Sequence, residues 1–140
     1  MMELPVEARE LIATGALAHL TTINRDGRPQ ITCVWVGLDG DEIVSGHLSG
    51  EQRKLKNVAR DPRVSLSIEG PGRNPIGMQH YLVVHGRARV TAGGAPELLQ
   101  ELAQVYIGPG TSFPPMPDPP SGYVMHITPE RVGGVGPWTD

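Results

Sequence analysis

Glycine and proline interrupt this chain so often that only short strands and short helices fit between them. The 140 residues include 18 glycines and 14 prolines, and the segments between them alternate β-branched residues with polar ones. The sequence has no internal repeat and no regular alternation of strands with helices, which argues against a solenoid, a propeller or a doubly wound parallel sheet. The pattern predicts a single mainly β domain over residues 1–140, an antiparallel barrel with peripheral helices.

The predicted elements follow one another in the order of these segments. Three short helices are predicted, at residues 5–14, 51–60 and 96–107. Six strands are predicted, at residues 17–23, 29–37, 42–45, 64–69, 79–91 and 123–134. The first and second hairpin turns are expected at 24–27 and 38–41, and Gly86 is expected to bend or bulge the long fifth strand. Residues 70–77 and 108–122 are predicted to be loops.

The loop at residues 108–122 holds six prolines. A structureless segment of this length inside a small domain is usually a lid, a partner contact or disorder. We favour a semi-rigid extended loop that packs over a neighbouring site. The alternative is a docking peptide, since residues 114–117 contain a PxxP pattern of the kind that SH3-like grooves bind.

Charge and cysteine content narrow the classes of partner. The formal net charge of −3 argues against a protein that coats nucleic acid or an anionic membrane. No apolar run approaches the roughly 20 residues that a membrane-spanning helix needs, and no signal peptide is expected. The single cysteine, Cys33, cannot form an internal disulfide and is expected to be buried, so a cytoplasmic location is predicted. The histidines lack the spacing of metal ligands, so no metal site is predicted.

The most informative segment opens the predicted helix at 51–60. Arg53, Lys54 and Lys56 lie in its first turns, where the positive end of the helix dipole makes each cation unfavourable by roughly a few tenths of a kcal/mol. A bound anion reverses the sign of this arrangement, because backbone N–H groups, the dipole and the cationic side chains then converge on it. Ser49 and Gln52 are placed to add hydrogen bonds to the same phosphate. The alternative is a solvated basic helix face that binds nothing.

Four motifs stand in a fixed order along the chain: DGRP at 26–29, RK at 53–54 with NVARDPRV at 57–64, VHGRARV at 84–90, and ITPERV at 127–132. Together they resemble those of the pyridoxamine 5′-phosphate oxidase-like split barrels, and the run at 57–64 is similar to that of the deazaflavin-dependent branch. The resemblance covers roughly residues 7–136. The chain lacks the C-terminal Trp…Arg-Pro ending of the vitamin-processing oxidases, which argues against pyridoxamine phosphate as the substrate.

This resemblance implies a six-stranded antiparallel split β-barrel that forms a homodimer, with two cofactor sites at the subunit interface. Carried over by position, Arg53 and Lys54 bind the cofactor phosphate. The other positions at the cofactor are Gln30, Thr32 and Val34 along the ring, Ser45 and Ser49 at the ring edge or the ribityl-phosphate chain, and Lys56 and Asn57 beside the phosphate. There are three further candidates. His47 lies in the loop before the phosphate site. Met78 and His80 lie at the start of the long strand, from which they are expected to reach the partner's cofactor.

The activity implied is that of an oxidoreductase that uses coenzyme F-420, a deazaflavin, to transfer a hydride to an unsaturated organic substrate. Because the cofactor performs the hydride chemistry, no catalytic side chain is assigned. Two alternatives stay open: FMN in the same fold, as a flavin reductase or oxidase, and a protein that carries the cofactor, haem or another tetrapyrrole without turnover. The expected partners are a small-molecule substrate, the cofactor and a second copy of the chain. Trp138 is expected either to pack against the dimer or the cofactor, or to lie in a loose tail.

Overall fold

One antiparallel sheet runs through the computed structural model, which describes residues 2–139. Its strands are β1 Ala18–Ile23, β2 Pro29–Val34, β3 Gly37–Asp39, β4 Glu42–His47, β5 Arg63–Arg73, β6 Gln79–Ala92 and β7 Tyr123–Val135. The helices are α1 Val6–Ile12, α2 Arg53–Arg60 and α3 Ala95–Tyr106. Neighbours in the sheet follow the order β2-β1-β5-β6-β7-β4-β3, and every pairing is antiparallel.

The two edge strands of this sheet, β2 and β3, are joined by only Trp35 and Val36. Because the first and last strands of the sheet are consecutive in the chain, the sheet has to curl until its edges approach one another. The result is a barrel that stays open along one seam. The predicted antiparallel split barrel with peripheral helices is confirmed.

The predicted number of strands is wrong: the described residues form seven strands instead of six. The predicted strand at 29–37 ends at Val34, and the chain then crosses the open seam to begin β3. At the crossing, the Val36 N–H donates to the Tyr106 hydroxyl at 2.9 Å, so a side chain takes the place of a neighbouring strand. The predicted turn at 38–41 shrinks to its last two residues, because β3 pairs with β4.

The predicted loop at 70–77 is also partly wrong, because β5 continues to Arg73. The chain turns only at the residues that follow. There the Asn74 side-chain oxygen accepts the N–H groups of Ile76 and Met78 at 3.1 and 2.9 Å, which closes the hairpin into β6.

Gly86 interrupts β6 as predicted. The pairing of β6 with β7 shifts register between His85 and Gly86. A Cβ atom at Gly86 would collide with the carbonyl group of Thr128, so the close approach of the two strands requires glycine.

Aliphatic side chains from every long strand fill the barrel. Among the least exposed are Leu20, Ile43, Leu66, Ile68, Leu82, Val84, Met125 and Ile127. Helix α1 packs Leu11 and Ile12 into the same core. Within residues 2–139, none of the helices has the length and apolar character that crossing a bilayer requires.

Strand β2 turns two polar side chains, Gln30 and Thr32, inward beside the buried Val34. The register pairs Leu20 with Thr32, and directly paired residues of neighbouring strands share one face of the sheet. Thr32 therefore points into the barrel with Leu20, whereas Ile31 is 63% exposed. Cys33 lies on the same outer face and is exposed, so its predicted burial is wrong.

Trp138 packs against its own chain. Its side chain is buried, and its indole N–H donates to the Tyr81 carbonyl oxygen at 3.1 Å. The ring also meets His80 edge-on, with 5.8 Å between ring centroids. Of the arrangements expected for Trp138, a loose tail is therefore wrong.

Candidate functional site

Helix α2 begins without the features that usually neutralise a helix N-terminus. Its N-cap residue, Gln52, has an extended backbone and forms no side-chain capping bond, and the first turn holds no acidic residue. Leu55 and Val58 pack into the core, which fixes the rotation of the helix. The first N–H groups and the cations Arg53 and Lys54 are therefore presented together.

The two consecutive cations line different cavities, because successive residues of an α-helix are rotated by about 100°. The first cavity, which we call the basic groove, has a volume of about 480 Å³. The second, the Lys54 cleft, has a volume of about 320 Å³. The basic groove is lined by Asn24, Arg25, Asp26, Arg53, Lys56, Asn57 and Arg60. The Lys54 cleft is lined by Cys33, Val34, Trp35, Gly46, His47, Leu48, Gln52, Lys54, Leu99 and Phe113.

Positive charge dominates the basic groove. Lys56 pairs with the exposed carboxylate of Glu51 at 2.9 Å, an arrangement that contributes little to stability. Within residues 2–139, no carboxylate is in ion-pair contact with Arg25, Arg53 or Arg60. The excess positive charge of the groove therefore remains free to attract an anionic ligand.

Lys54 is the half-buried cation of the Lys54 cleft. Its ammonium group donates to the Thr32 hydroxyl oxygen at 3.3 Å, and no carboxylate of residues 2–139 pairs with it. Burial lowers the pKa of Lys54, and Cys33 opposes that change. A cation that has lost water without gaining a counterion gains the most from a bound anion.

His47 is held in its neutral form at the polar end of the Lys54 cleft. Its Nε2 lies 2.8 Å from the Ser45 hydroxyl, and its Nδ1 lies 3.1 Å from the Gln52 side-chain oxygen. Burial and the nearby Lys54 charge lower the pKa of His47 from 6.5 to about 4, against the opposing hydrogen bond of Gln52. With Nδ1–H donating to Gln52 and Nε2 accepting from Ser45, the Gln52 amide nitrogen is left to face a ligand.

Asn57 ties α2 to the barrel beneath the basic groove. Its side chain is buried, and its amide nitrogen donates to the Thr22 hydroxyl at 3.0 Å and to the Asn24 side-chain oxygen at 2.9 Å. The Gln30 side-chain oxygen lies at 3.4 Å from the same nitrogen. These polar groups face inward on β1 and β2 because they satisfy one another.

The structure distributes the sequence-predicted site residues over several places. Val34, His47, Gln52 and Lys54 meet in the Lys54 cleft, and Arg53, Lys56 and Asn57 meet in the basic groove. Gln30, Thr32 and Ser45 line neither cavity, but each is hydrogen-bonded to a residue that does. Ser49 is exposed and accepts the Glu51 N–H at 3.2 Å. Met78 and His80 lie at the β5–β6 turn, away from both cavities of the same chain.

Sequence reasoning missed ten of the residues that line the two cavities, among them two arginines and three large apolar residues. Arg25 and Arg60 join the basic groove from the first hairpin turn and from the last turn of α2. Arg60 was visible as a basic residue at the end of the predicted helix at 51–60, whereas no local pattern connected Arg25 with that helix. Trp35, Leu99 and Phe113 join the Lys54 cleft from three separate segments, and no local pattern brings them together.

Comparisons with known proteins relate this fold and its cavities to others. The family model for pyridoxamine 5′-phosphate oxidase matches residues 4–136. A solved F420 reductase is 25% identical, with a TM-score of 0.75 over 93% of this chain and 98% of that one. A conserved hypothetical protein of Mycobacterium tuberculosis, Rv2991, is 24% identical, with a TM-score of 0.72 over 96% of this chain and 87% of that one.

A more distant structure shows the same fold. HupZ of Group A Streptococcus is 17% identical, with a TM-score of 0.67 over 98% of this chain and 98% of that one. A sequence comparison with curated proteins gives no match.

Proposed function

The chain belongs to the pyridoxamine 5′-phosphate oxidase family, and on that premise we propose that it is an oxidoreductase that uses coenzyme F-420. The reaction proposed is hydride transfer from the reduced deazaflavin to an unsaturated organic substrate, with the one proton that completes the reduction taken from water. The observation that carries the proposal is Lys54, a half-buried ammonium beside the uncapped start of α2.

The residues of the Lys54 cleft fit a phosphate-bearing cofactor with a flat ring system. The Lys54 ammonium and the first N–H groups of α2 are donors of the kind that bind phosphoryl oxygens. Gln52 and the neutral His47 add polar groups to the same wall. Val34 adds apolar surface against which a ring packs.

The basic groove favours the deazaflavin over FMN. FMN ends at a phosphate monoester, which needs contacts only in the Lys54 cleft, whereas the tail of F-420 continues past its phosphodiester to further carboxylates. Arg25, Arg53 and Arg60 supply positive charge for such a tail. The F420 reductase that shares 25% identity with the chain supports the same choice.

The protein's own contribution is binding, orientation and partial exclusion of water. When bound, the deazaflavin supplies the two-electron hydride chemistry. Lys54 supplies positive charge to the phosphoryl group, and the half-buried position of its ammonium strengthens that attraction. The neutral His47 accepts a hydrogen bond from Ser45 and donates one to the Gln52 side-chain oxygen, and the two bonds hold its ring in one orientation. Neither Asp nor Glu lines the cleft, and we assign no side chain as a general acid.

We extend the proposal to a homodimer with its two cofactor sites at the subunit interface. The outer face of β2 exposes 63% of Ile31, and the β5–β6 turn exposes 81% of Ile76 and 49% of Met78. We place the interface at these exposed apolar side chains, which association would remove from water. In such a dimer, Met78 and His80 approach the cleft of the second copy.

Light scattering after size-exclusion chromatography tests the dimer. The expected mass is twice the 15.0 kDa of the chain, and Ile31→Lys should reduce it to that of one chain. A wild-type protein that elutes with the mass of one chain at micromolar concentration contradicts the dimer.

A fluorescence titration tests the choice of cofactor. Oxidised F-420 is titrated with purified protein, and a change that saturates at micromolar protein is expected, with an equal concentration of FMN failing to reverse it. Arg131→Ala removes an exposed arginine that lines neither cavity and should give the same titration curve as the wild type. No change with F-420, together with yellow protein that retains FMN, assigns the cleft to FMN instead.

Turnover separates an enzyme from a carrier. Reduced F-420 is mixed with the protein and a panel of quinones, enones and tetrapyrroles, and its reoxidation is followed by absorbance. An enzyme accelerates reoxidation with at least one member of the panel. Tight binding without acceleration by any of them identifies a carrier.

A further inference from the structure

Half of the Lys54 cleft is not accounted for by a phosphate site. Beside its polar residues, the cleft is lined by Trp35 and Phe113, with Leu48 and Leu99 around them. Both aromatic rings are only partly buried, so they are not simply filling the barrel core. Partly exposed rings that line a cavity are typical of surfaces that recognise a ligand.

The rings of this half form a fixed stack. Trp35 stacks on Tyr106 with 5.3 Å between centroids and 14° between planes, and Phe113 is tilted by 51° against Trp35 at 5.1 Å. The Tyr106 hydroxyl accepts the Val36 N–H at 2.9 Å and donates to the Ala16 carbonyl oxygen at 3.1 Å. Tyr106, fixed by its hydrogen bonds, therefore holds one face of the Trp35 ring, and Phe113 packs against the same ring.

Two glutamines of α3 fix the start of the Pro-rich loop that carries Phe113. The Gln100 side chain accepts the Phe113 N–H at 2.6 Å and donates to the Thr111 carbonyl oxygen at 2.9 Å. One helical turn later, the Gln104 side chain accepts the Gly110 N–H at 2.8 Å and donates to the same Thr111 oxygen at 2.7 Å. Four hydrogen bonds to three backbone groups of residues 110–113 make this segment a preformed wall.

From this arrangement we propose that the substrate is a flat, uncharged ring compound and that Phe113 selects it. The inference rests on the proposed function, because that function places the cofactor phosphate at Lys54 and leaves the aromatic half to the substrate. A flat ring stacks on Trp35 and Phe113, whereas a saturated ring of the same size does not. No charged side chain lines this half, so a charged substrate group would lose water without gaining a partner. Gln100 and Gln104 are positioning residues that act through Phe113.

Calorimetric titration with a redox-inert probe tests the substrate class. Protein saturated with oxidised F-420 is titrated with 2-naphthol, with its saturated analogue decahydro-2-naphthol, and with 2-naphthalenesulfonate. We expect 2-naphthol to bind at least about tenfold more tightly than either analogue. Equal affinities for the three compounds overturn the proposal. Displacement of F-420 by 2-naphthol also overturns it, because the aromatic half would then hold the cofactor ring.

Variants of the wall test the role of Phe113. Phe113→Leu keeps the apolar bulk and should weaken 2-naphthol binding about tenfold, while Phe113→Trp keeps the ring and should retain it. The double change Gln100→Ala/Gln104→Ala keeps the Phe113 side chain but removes the hydrogen bonds that position it. It should weaken 2-naphthol binding by a similar factor. Gln79→Ala is the matched control, because Gln79 donates to the Gly70 carbonyl oxygen at 3.3 Å and lines neither cavity of α2.

The affinity for F-420 separates this proposal from the proposed function. It should be unchanged in all four variants, whose thermal unfolding is recorded alongside. If the double glutamine variant fails to fold, the Leu and Trp variants of Phe113 decide the question on the intact loop. Unchanged 2-naphthol affinity in Phe113→Leu overturns the role of Phe113. A protein that never binds F-420 refutes the proposed function, and 2-naphthol titrated without cofactor then still measures the wall.

Discussion

The two cavities beside α2 contain similar cations in different surroundings. Lys54 is half-buried, and its neighbours in the cleft are uncharged side chains and a neutral histidine. Arg53, the residue before it, is exposed in a groove that water reaches. One half-buried charge attracts an anion more strongly at short range than several exposed charges do. Adjacent residues of one helix thus provide a strong short-range contact and a weaker long-range field.

The largest expected effect is a loss of folding stability in acid, when the buried His47 becomes protonated. His47 has a pKa of about 4 in the folded chain and an ordinary value of 6.5, so between these values the unfolded chain binds more protons than the folded one. The stabilising effect of the neutral His47 is complete above pH 6.5 and is lost as the pH falls towards 4, at a cost on the order of 3 kcal/mol. Denaturant unfolding at several pH values should show this loss in the wild type and a smaller one in His47→Gln. Equal pH dependence of unfolding in the wild type and in His47→Gln would contradict the burial of a neutral His47.

The next effect concerns the buried cation itself. Lys54→Met should weaken F-420 binding by about 1.5–3 kcal/mol, the usual contribution of a charge-assisted hydrogen bond. The free energy of unfolding of the cofactor-free protein should stay the same or rise, because a poorly hydrated ammonium is removed. Fluorescence titration and urea unfolding measure the two quantities. A variant that unfolds easily and keeps its affinity would make Lys54 a structural residue.

A third prediction concerns the contribution of the Asn57 hydrogen bonds beneath the basic groove to folding stability. Asn57→Ala removes a buried donor from Thr22 and Asn24 and should lower the free energy of unfolding by about 1–3 kcal/mol. Asn74→Ala, at the β5–β6 turn, is the matched control and should have a smaller effect because its environment is more exposed. Urea unfolding compares the two variants. If Asn57→Ala is as stable as the wild type, the network beneath α2 does not hold the helix in place.

The smallest effect belongs to the open charges of the groove. The double change Arg53→Ala/Lys56→Ala should weaken F-420 binding by about 1 kcal/mol and leave FMN binding nearly unchanged, because only the longer tail reaches the groove. Added salt should weaken F-420 binding to the wild type more than to this variant. Titrations at low and high ionic strength measure both effects. An equal loss for FMN and F-420 would remove the distinction between the two cavities.

Local patterns in the sequence were sufficient to predict most of the fold. β-Branched residues predicted β1, alternation predicted β5, and Asp61-Pro62 marked the end of α2, whose C-cap backbone is extended at Asp61. The facing of β2 was not predictable in this way. Its inward face carries the polar Gln30 and Thr32 beside Val34 because both polar side chains find partners on α2, and hydropathy does not reveal whether a polar side chain will be satisfied.

The sequence was sufficient to predict the charged residues of the site, but not their distribution over two cavities. The basic segment at 53–56 located the site, but the separation of Arg53 from Lys54 depends on the rotation of α2. That rotation is set by the buried Leu55, Asn57 and Val58, of which a buried asparagine is the least expected. The contact of Trp35 with Phe113 depends on the path of the Pro-rich loop, which two glutamines of α3 determine through backbone hydrogen bonds. Contacts of that kind leave no periodic signal in a sequence.

The affinity ratio between F-420 and its phosphate-free deazaflavin chromophore, which keeps the ribityl chain, tests the central claim most directly. The claim is that the cations at the start of α2 exist to hold the cofactor's anionic tail. We predict that the wild type binds F-420 at least about 100-fold more tightly than the chromophore, and that Lys54→Met reduces this ratio by about tenfold or more. Equal affinities of the wild type for the two compounds would contradict the claim.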